Sequence, residues 1–515
     1  MSDRTPGTVL GDGPLRLADL VDVARHRRRV ALSPEARSRV ASGRAVIERV
    51  LESGAAVYGV TTGFGSQSHV PVSPDVRSTM QRRILRSHAA GAGAPFPDEV
   101  VRTVLLLRAN MLSKGHSGVR PIVVDHLLSL LNNDMCPVVP EQGSVGASGD
   151  LAPLAHLSLA LIGEGEIRTS DGVRPAKDAL AAARMEPLVL EAKEASSLTN
   201  GTEVTLALAA LGVADTDLLL NAAEVAAAMS FTAMRGHLQA YDERLHRLRP
   251  HPGQLATAER LRMLVEPTRG TPEARRPIHD IYTLRCVPQV LGPVWEALGH
   301  VRKTVEIEMD SVTDNPVCFA DDGAVLSGGN FHGHPLALAC DYLRLSVASI
   351  GTFAERRIAS LLDSRSSGLP ELLSPDPGAN SGFLLTQYVA ASLANENKTL
   401  AHPASVDSIT TAGGAEDYNS MSATSARHLR MVIANTYRIV AMELMCAAQG
   451  IDLAKHDSPR AVAAAHSVIR TEVPFLASDD AVVSDLVASV ERLVRDGALR
   501  RAVGLPSTNS GYPQA

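Results

Sequence analysis

The sequence predicts a mainly α-helical fold: a large bundle of long antiparallel helices, a smaller N-terminal mixed region and a few short hairpins. Apolar residues recur at helical spacing along most of the chain. Long Ala-rich apolar segments lie between Glu203 and Met234 and between Leu336 and Ile350. Helices of this kind need apolar partners, within the chain or from other subunits. Strand-like segments are few and short, which excludes a mainly β fold.

Local signals place the first helices. Ser33-Pro34-Glu35 predicts a helix start, with Ser33 as the N-cap and Pro34 in the first turn, and Gly54 predicts its end. Ser73-Pro74-Asp75 repeats the same start signal. Apolar spacing alone predicts two more helices, Val100–Leu112 and Ile122–Leu131.

Two hairpins are expected from Asp-Gly pairs between short strand-like segments. The first covers Ile167–Val173 and turns on Asp171-Gly172, and the second covers Val317–Val325 and turns on Asp322-Gly323. Asp-Gly favours the tight turns that join antiparallel strands.

Length and charge narrow the function. The chain has 515 residues, enough for two or three domains or for one large interlocked fold. Lys and Arg total 50 and Asp and Glu total 56, which gives a formal net charge of −6. A nucleic-acid-binding surface usually carries a basic excess, so we expect no nucleic-acid partner. The hydrophobic content of 45% excludes an intrinsically disordered chain.

The expected compartment is the cytoplasm. The five Cys residues are far apart and form no CxxC pair, which fits a reducing environment better than a disulfide framework. The segment Met1–Leu15 lacks the apolar core of a signal peptide. The apolar segment Thr205–Met234 is interrupted by Asp215, Asp217 and Glu224, so we expect a buried helix pair and no membrane span.

The segment from Gly143 to His156, GSVGASGDLAPLAH, is the most informative in the chain. Read plainly, it is a Gly-rich loop entering a helix, a type of loop that often binds phosphate. Its spacing is not that of a nucleotide loop, and no Lys follows. The segment resembles the prosthetic-group motif of the aromatic amino-acid ammonia-lyase and aminomutase family. The resemblance extends over roughly residues 51–455 and is closest to the family's histidine ammonia-lyases.

The resemblance implies a 4-methylidene-imidazol-5-one group that forms autocatalytically from Ala147-Ser148-Gly149, with no external cofactor. The Gly149 amide nitrogen would attack the Ala147 carbonyl, and Ser148 would lose its hydroxyl as water. Such chemistry makes sense because ordinary side chains are nucleophiles, so an enzyme that needs an electrophile must import or make one.

Other matching segments imply the remaining catalytic groups. Tyr58, in YGVTTGFG, matches the Tyr of the family's catalytic loop, which removes the substrate β-proton; by itself this segment reads as a surface loop. Arg285 and Tyr282, in DIYTLRCVPQ, match the Arg that clamps the substrate α-carboxylate and a Tyr near the prosthetic group. Asn200, in LTNGT, matches an Asn that holds the carboxylate or the carbonyl of the prosthetic group, although a lone Asn-Gly is normally a turn.

Three more residues are implied at the pocket. Asn330 lies in SGGNFH, which resembles the family's pocket strand and turn. His88, in SHAAG, and Glu416, in AEDY, match the residues that histidine-specific members place around the imidazole. The plain interpretations are a core histidine for His88 and a helix-surface charge for Glu416. A carboxylate against an imidazole is a reasonable charge-assisted pair.

The implied reaction is elimination of ammonia from an L-amino acid, with L-histidine to trans-urocanate as the first choice. The segments HDIY, KEASSL and AEDY depart from the pattern usual in histidine-specific members, and these changes cluster near the pocket. A lyase or 2,3-aminomutase acting on tyrosine or another amino acid in secondary metabolism is therefore the alternative. A catalytically inert family member is the alternative from a different class.

The resemblance also implies organisation. We divide the chain into an N-terminal region, 1–200, with the Tyr loop and the Ala-Ser-Gly triplet, and a C-terminal long-helix bundle, 201–515. The family forms homotetramers whose active sites are shared between subunits, and its substrate is a small amino acid. His332 and His334 are only two residues apart and have no carboxylate ligands close by in sequence, so no metal site is expected.

Overall fold

The computed structural model describes residues 7–63, 70–267 and 279–505, and it confirms the predicted mainly α-helical class. Phe64 and Gly65 of the Tyr58 segment lie outside the described residues. The described residues contain the following helices: α1 Leu17–His26, α2 Pro34–Ser53, α3 Arg77–His88, α4 Asp98–Ser113, α5 Pro121–Asn132, α6 Leu151–Leu161, α7 Ala176–Ala182, α8 Glu194–Thr199, α9 Glu203–Ala233, α10 Glu243–Arg247, α11 Pro252–Leu264, α12 Tyr282–Arg285, α13 Val287–Met309, α14 His334–Leu362, α15 Ser364–Ser367, α16 Leu384–Leu400, α17 Ser422–Ala454, α18 Arg460–Arg470, α19 Val483–Arg495 and α20 Ala498–Ala502.

The strands are short and form small two- and three-stranded sheets. The described strands are β1 Thr8–Leu10, β2 Val30–Leu32, β3 Ala92–Pro95, β4 Cys136–Pro137, β5 Pro140–Gln142, β6 Glu166–Thr169, β7 Gly172–Pro175, β8 Val317–Cys318 and β9 Val325–Leu326. Strands β1 and β2 pair in parallel, whereas β3 with β5, β4 with β6, β6 with β7 and β8 with β9 pair antiparallel.

The chain forms two compact units, each built from segments that are separate in sequence. Unit 1 comprises residues 1–211, 303–340 and 403–427, and unit 2 comprises 212–302, 341–402 and 428–515. All the described strands belong to unit 1. The two units thus differ from the predicted division into residues 1–200 and 201–515. The boundary at residue 200 stays a prediction.

The first predicted helix boundaries agree with α2. The Ser33 hydroxyl accepts a hydrogen bond from the Ala36 amide at 3.1 Å, and Gly54 ends the helix with φ +67°. At the second start signal, Pro74–Val76 forms a single 3₁₀ turn before α3, and the Ser73 side chain makes no capping hydrogen bond. The helices predicted from spacing alone correspond to α4 and α5.

Both hairpins are present, and the turn of the first differs from the prediction. Thr169 pairs with Gly172, so the turn lies on Ser170-Asp171, one residue before the predicted pair. In the second hairpin Val317 pairs with Leu326, and Gly323 adopts φ +75° near the end of the turn.

The prediction of a helix pair over Thr205–Met234 is wrong, because the segment is the single helix α9. Its acidic residues do not break the helix, and two of them, Asp217 and Glu224, have arginine partners. The Glu224 carboxylate accepts hydrogen bonds from Arg260 Nε at 2.6 Å and from Trp295 Nε1 at 2.9 Å. By length and composition α9, α14 and α17 are each apolar enough to cross a membrane, but 83% of the relevant window of α9 is buried within the protein.

The core of unit 1 positions the residues of the candidate site. Helix α4 is buried along almost its whole length and packs against α1 and α5. Helix α6 packs against α3 and α8. Because α3 ends at His88, α6 begins just after the Ala-Ser-Gly triplet, and α8 ends just before Asn200, these three helices bring three predicted segments into one packed group.

Candidate active site

The Ala147-Ser148-Gly149 triplet lies in a turn that enters α6. Ala147 is buried, and the glycines on either side of it and Ser148, Gly146 and Gly149, adopt φ +67° and +77°. This left-handed backbone is readily accessible only to glycine. The glycines therefore allow the chain to turn sharply at the triplet before the helix begins.

Gly149 makes an exceptionally close backbone contact with Gly201. The two residues form an isolated parallel bridge, in which the Asp150 amide donates to Gly201 O at 2.7 Å and the Gly201 amide donates to Ser148 O at 3.4 Å. A Cβ atom built on Gly149 would lie 2.6 Å from the Gly201 nitrogen and still closer to its carbonyl group. The second segment therefore fits against the triplet only because Gly149 has no side chain, while a Cβ on Gly201 would instead collide with Glu203 and Arg108.

Asp150, at the start of α6, fixes the loop of the triplet through hydrogen bonds to its side chain. The buried carboxylate accepts hydrogen bonds from the Ser144 hydroxyl at 2.7 Å, the Thr205 amide at 2.8 Å and the Thr205 hydroxyl at 3.0 Å. Burial raises the pKa of Asp150, and these hydrogen bonds oppose that shift. Asp150 thus ties the Gly-rich loop to the first turn of α9.

Two further segments close around Gly146. Its carbonyl accepts hydrogen bonds from the Ser420 hydroxyl at 2.9 Å and from the Gly333 amide at 3.4 Å, while the Met421 amide donates to Val145 O at 2.8 Å. These bonds attach the segment that carries Glu416 and the segment that carries Asn330 to the loop of the triplet.

Glu416 is in direct contact with the triplet. The Ser148 hydroxyl donates to Glu416 Oε1 at 3.1 Å, although the two residues are 268 positions apart in sequence. The second carboxylate oxygen, Oε2, accepts a hydrogen bond from the Thr411 hydroxyl at 2.6 Å. Glu416 is half-buried and lies in an extended segment, so its plain interpretation as a helix-surface charge is wrong.

Asn200 and Asn330 also belong to unit 1, and their side chains make other contacts. Asn200 Nδ2 donates to Asn315 O at 3.3 Å. Asn330 is exposed, and its Nδ2 donates to Val312 O at 3.4 Å. Their predicted roles in binding the substrate stay predictions.

Tyr58 and His88 are half-buried residues of unit 1. Tyr58 lies in a turn where the Val60 and Thr61 amides both donate to Val57 O. His88 is the last residue of α3, and its Nδ1 lies 3.1 Å from the Ser87 hydroxyl. Their roles in proton removal and side-chain recognition likewise stay predictions.

Tyr282 and Arg285 lie in unit 2, on the short helix α12. The Arg285 guanidinium stacks over the Tyr282 ring at 4.7 Å from its centroid. Arg285 and Gln289 line a cavity of about 670 Å³. Arg285 Nε and Gln289 Oε1 are buried without a hydrogen-bond partner among the described residues.

His332 and His334 pack with Tyr418 in unit 1. The His332 ring stacks on the Tyr418 ring at 5.9 Å, and the His334 ring meets it edge-on at 5.7 Å. Across residues 7–63, 70–267 and 279–505, no three His, Cys, Asp or Glu residues form a group suited to a metal ion. The two histidines thus form an aromatic cluster, and the expected absence of a metal stays a prediction.

The sequence analysis missed a buried ion pair next to the triplet. Arg108 Nη2 donates to Glu203 Oε2 at 2.5 Å, and Thr202 donates to Glu308 at 2.7 Å beside it. Burial raises the pKa of Glu203 to about 7, although the positive charge of Arg108 acts to lower it. Burial also raises the pKa of Glu308. Arg108 is the one charged residue in the apolar run from Val104 to Leu112, and that isolation was the available signal.

Comparison with known proteins assigns the family. The family model for aromatic amino acid lyases matches residues 15–471. The chain is 47% identical to a histidine ammonia-lyase of Deinococcus radiodurans, covering 98% of this chain and 96% of that protein. The crystal structure of histidine ammonia-lyase from Trypanosoma cruzi has a TM-score of 0.90 at 37% identity, covering 96% of this chain and 95% of that one.

A tyrosine aminomutase from Streptomyces globisporus is also similar in structure, with a TM-score of 0.91 at 33% identity, covering 97% of this chain and 98% of that one. Family membership therefore rests on the full-length sequence match and on the fold together. These matches confirm the resemblance drawn from the motifs: the chain belongs to the aromatic amino acid lyase family.

Proposed function

We propose that this chain, a carbon–nitrogen lyase by its family, eliminates ammonia from L-histidine and releases trans-urocanate. The contact between Ser148 Oγ and Glu416 Oε1 at 3.1 Å carries the proposal, because it places a carboxylate suited to an imidazole beside the residue where the chemistry would occur. The similarity to histidine ammonia-lyases over nearly the whole chain supports the same substrate.

The proposed prosthetic group is 4-methylidene-imidazol-5-one, formed from Ala147, Ser148 and Gly149. The residues fit it, because left-handed glycines flank Ala147 and Ser148, and the Gly201 backbone occupies the space that a side chain on Gly149 would need. When formed, this group supplies an electrophilic methylene at the Ser148 position. The described side chains supply nucleophiles and charges, so the group would provide what they lack.

The chain's own residues would hold the substrate and move its protons. Arg285 suits the α-carboxylate because a guanidinium binds a carboxylate through two parallel hydrogen bonds, and its Nε has no partner among the described residues. Asn200 would donate an amide hydrogen to the carboxylate. Tyr58 would take the β-proton as the general base.

Side-chain recognition would fall to Glu416 and His88. Glu416 Oε2 is held by the Thr411 hydroxyl, which fixes the carboxylate while Oε1 faces Ser148. Once Ser148 has lost its hydroxyl to form the prosthetic group, Oε1 would be available to accept a hydrogen bond from an imidazole N–H of the substrate. Tyr282 and Asn330 would complete the pocket.

We also propose that the enzyme is a cytoplasmic homotetramer with shared active sites. Large apolar side chains on α14 and α16 support the assembly, because Leu338, Leu345, Leu385 and Tyr388 are all about half exposed in one chain. Apolar surface of this extent on long helices is typical of subunit interfaces.

A second candidate is a 2,3-aminomutase, in which ammonia returns to the β-carbon before the product leaves. Tyr418 favours it, since this exposed Tyr follows Glu416 by two residues where histidine-specific members usually have His. The structural similarity to a tyrosine aminomutase points the same way.

Incubation with histidine, tyrosine, phenylalanine and arginine separately tests both candidates, with products identified by mass and chirality. The proposal expects urocanate from histidine, and a β-amino acid from another substrate would contradict it. The Ser148→Ala variant is the control and should fold normally without turnover. The measured mass of the purified wild-type protein should be lower than the mass calculated from its sequence by two water molecules. A measured mass equal to the calculated one, together with no turnover, would indicate an inert protein.

A further inference from the structure

The ion pair between Arg108 and Glu203 lies wholly inside unit 1. Arg108 is 0% exposed and Glu203 2% exposed, and their closest atoms are 2.5 Å apart. Removing two charges from water costs free energy that their mutual attraction must offset, so such a pair is weak evidence for stability by itself. Its surroundings indicate what else the pair does.

Arg108 also holds the backbone that precedes Gly201. Its Nη1 donates to Asn200 O at 2.6 Å and to Ser197 O at 3.1 Å, while Nη2 binds Glu203. One planar guanidinium therefore fixes the end of α8, the Asn200 carbonyl and the first residue of α9 at the same time. A lysine could not match this arrangement, because all its donors are on one nitrogen whereas Arg108 uses two nitrogens held at a fixed spacing.

The segment that Arg108 holds is the partner of the triplet. Gly201 accepts from the Asp150 amide at 2.7 Å and donates to Ser148 O at 3.4 Å. The contacts thus run without a gap from the ion pair to Asn200, then to Gly201, and then to both sides of Gly149.

Ring closure depends on how closely the triplet is held. A bond forms between the Gly149 nitrogen and the Ala147 carbonyl carbon, and the Ala147 oxygen leaves as water with the amide protons of Gly149 and Ser148. The Ser148 hydroxyl then leaves with the Ser148 α-proton as a second water. Both steps are dehydrations that need no oxidant, so the protein's contribution is to hold the reacting atoms in the productive geometry.

We propose that Arg108 and Glu203 are positioning residues for this ring closure, acting through the Asn200-Gly201 segment that they hold against the triplet. This inference rests on the proposed function, because it concerns how the proposed prosthetic group forms. It assigns the ion pair a role during maturation, and neither residue contacts the substrate or the reacting atoms.

Two variants that preserve charge test the proposal. Glu203→Asp withdraws the carboxylate by one methylene, and Arg108→Lys keeps the positive charge but gives up the simultaneous hold on Asn200 and Glu203. We expect the loss of two waters, followed by intact-mass spectrometry after cell-free synthesis, to be about tenfold or more slower than in wild type. Circular dichroism should show the same helical content.

Glu224→Asp is the matched control. Glu224 lies on the same helix α9, is 0% exposed and pairs with Arg260 at 2.6 Å, but it belongs to unit 2. The Glu224→Asp variant should lose both waters at the wild-type rate, even if its thermal stability falls as far as that of Glu203→Asp. The control thus separates a general loss of stability from a specific effect on the triplet.

The outcomes are distinguishable. If folded Glu203→Asp or Arg108→Lys loses both waters at the wild-type rate, the pair is only structural and the inference is overturned. If one of the two variants is insoluble, the other decides. If wild type itself never loses the two waters, the proposed function fails before the inference is reached.

Discussion

Replacing Gly149 by alanine tests the close backbone contact on which the candidate site depends. The new methyl group would lie 2.6 Å from the Gly201 nitrogen, and closer to its carbonyl, so backbone atoms would have to move. The substitution also places a side chain on a residue with φ +77°. Both effects act at the same position, and a control is needed to separate them.

The two costs have different magnitudes. Left-handed backbone costs an alanine about 1–2 kcal/mol, and forcing an extra methyl group into a packed site costs about 1–3 kcal/mol. We therefore expect Gly149→Ala to lower the free energy of unfolding by roughly 2–5 kcal/mol. Gly165→Ala is the control, because Gly165 has φ +73° but its nearest neighbour to a built Cβ, Leu159 Cβ, is 3.7 Å away. The free energy of unfolding of Gly165→Ala should fall only by the cost of the left-handed backbone.

The measurement is urea unfolding followed by far-ultraviolet circular dichroism. Both substitutions are compared in the Ser148→Ala chain, where the second dehydration cannot occur and the prosthetic group does not complicate the comparison. Gly149→Ala should be less stable than Gly165→Ala by about 1–3 kcal/mol. Equal stability of the two variants would show that the Gly149–Gly201 approach is not tight and would refute the reasoning.

Three further predictions concern recognition and pH. Glu416→Gln keeps the size and the acceptor oxygen but removes the charge, so kcat/KM for histidine should fall about 10²-fold with little change in melting temperature; an unchanged value would exclude Glu416 from recognition. Thr411→Val removes the hydrogen bond to Glu416 Oε2 and should raise KM for histidine about tenfold, whereas a wild-type KM would show that the carboxylate needs no such support. His156 Nε2 accepts a hydrogen bond from the Gly91 amide at 3.0 Å, and burial lowers the pKa of this histidine. As the pH falls, His156 is therefore protonated in the unfolded chain before it is protonated in the folded chain. Stability should therefore fall as the pH drops below about 6.5, less steeply in His156→Gln, and equal slopes in urea titrations would contradict this.

Local elements were predictable where local chemistry decides them. Ser33 and Gly54 bound α2 as expected, because a capping hydroxyl and a left-handed glycine act over one helical turn. The turn of the first hairpin was misplaced by one residue, since Thr169 pairs with Gly172. An Asp-Gly pair marks a turn, but the cross-strand register decides which two residues form it.

The length of α9 could not be predicted, because the partners of Asp217 and Glu224 are distant in sequence. Asp217 lies 3.8 Å from Arg302, and Glu224 pairs with Arg260 and Trp295. In sequence an acidic residue within an apolar run looks like an interruption. Only the fold shows that its counterion arrives from another helix.

The candidate site shows the same limit at its centre. Taken separately, Asn200-Gly201 looks like a turn and Gly149 looks like the end of a flexible loop. In the structure Gly201 has φ +137° and hydrogen-bonds on both sides of Gly149, so the two segments form one unit. A side chain at Gly149 would push the two segments apart, whereas a side chain at Gly201 would strain its left-handed backbone and collide with Glu203 and Arg108. A motif read one residue at a time therefore identifies the chemistry at Ser148 but misses the contact that would hold it in place.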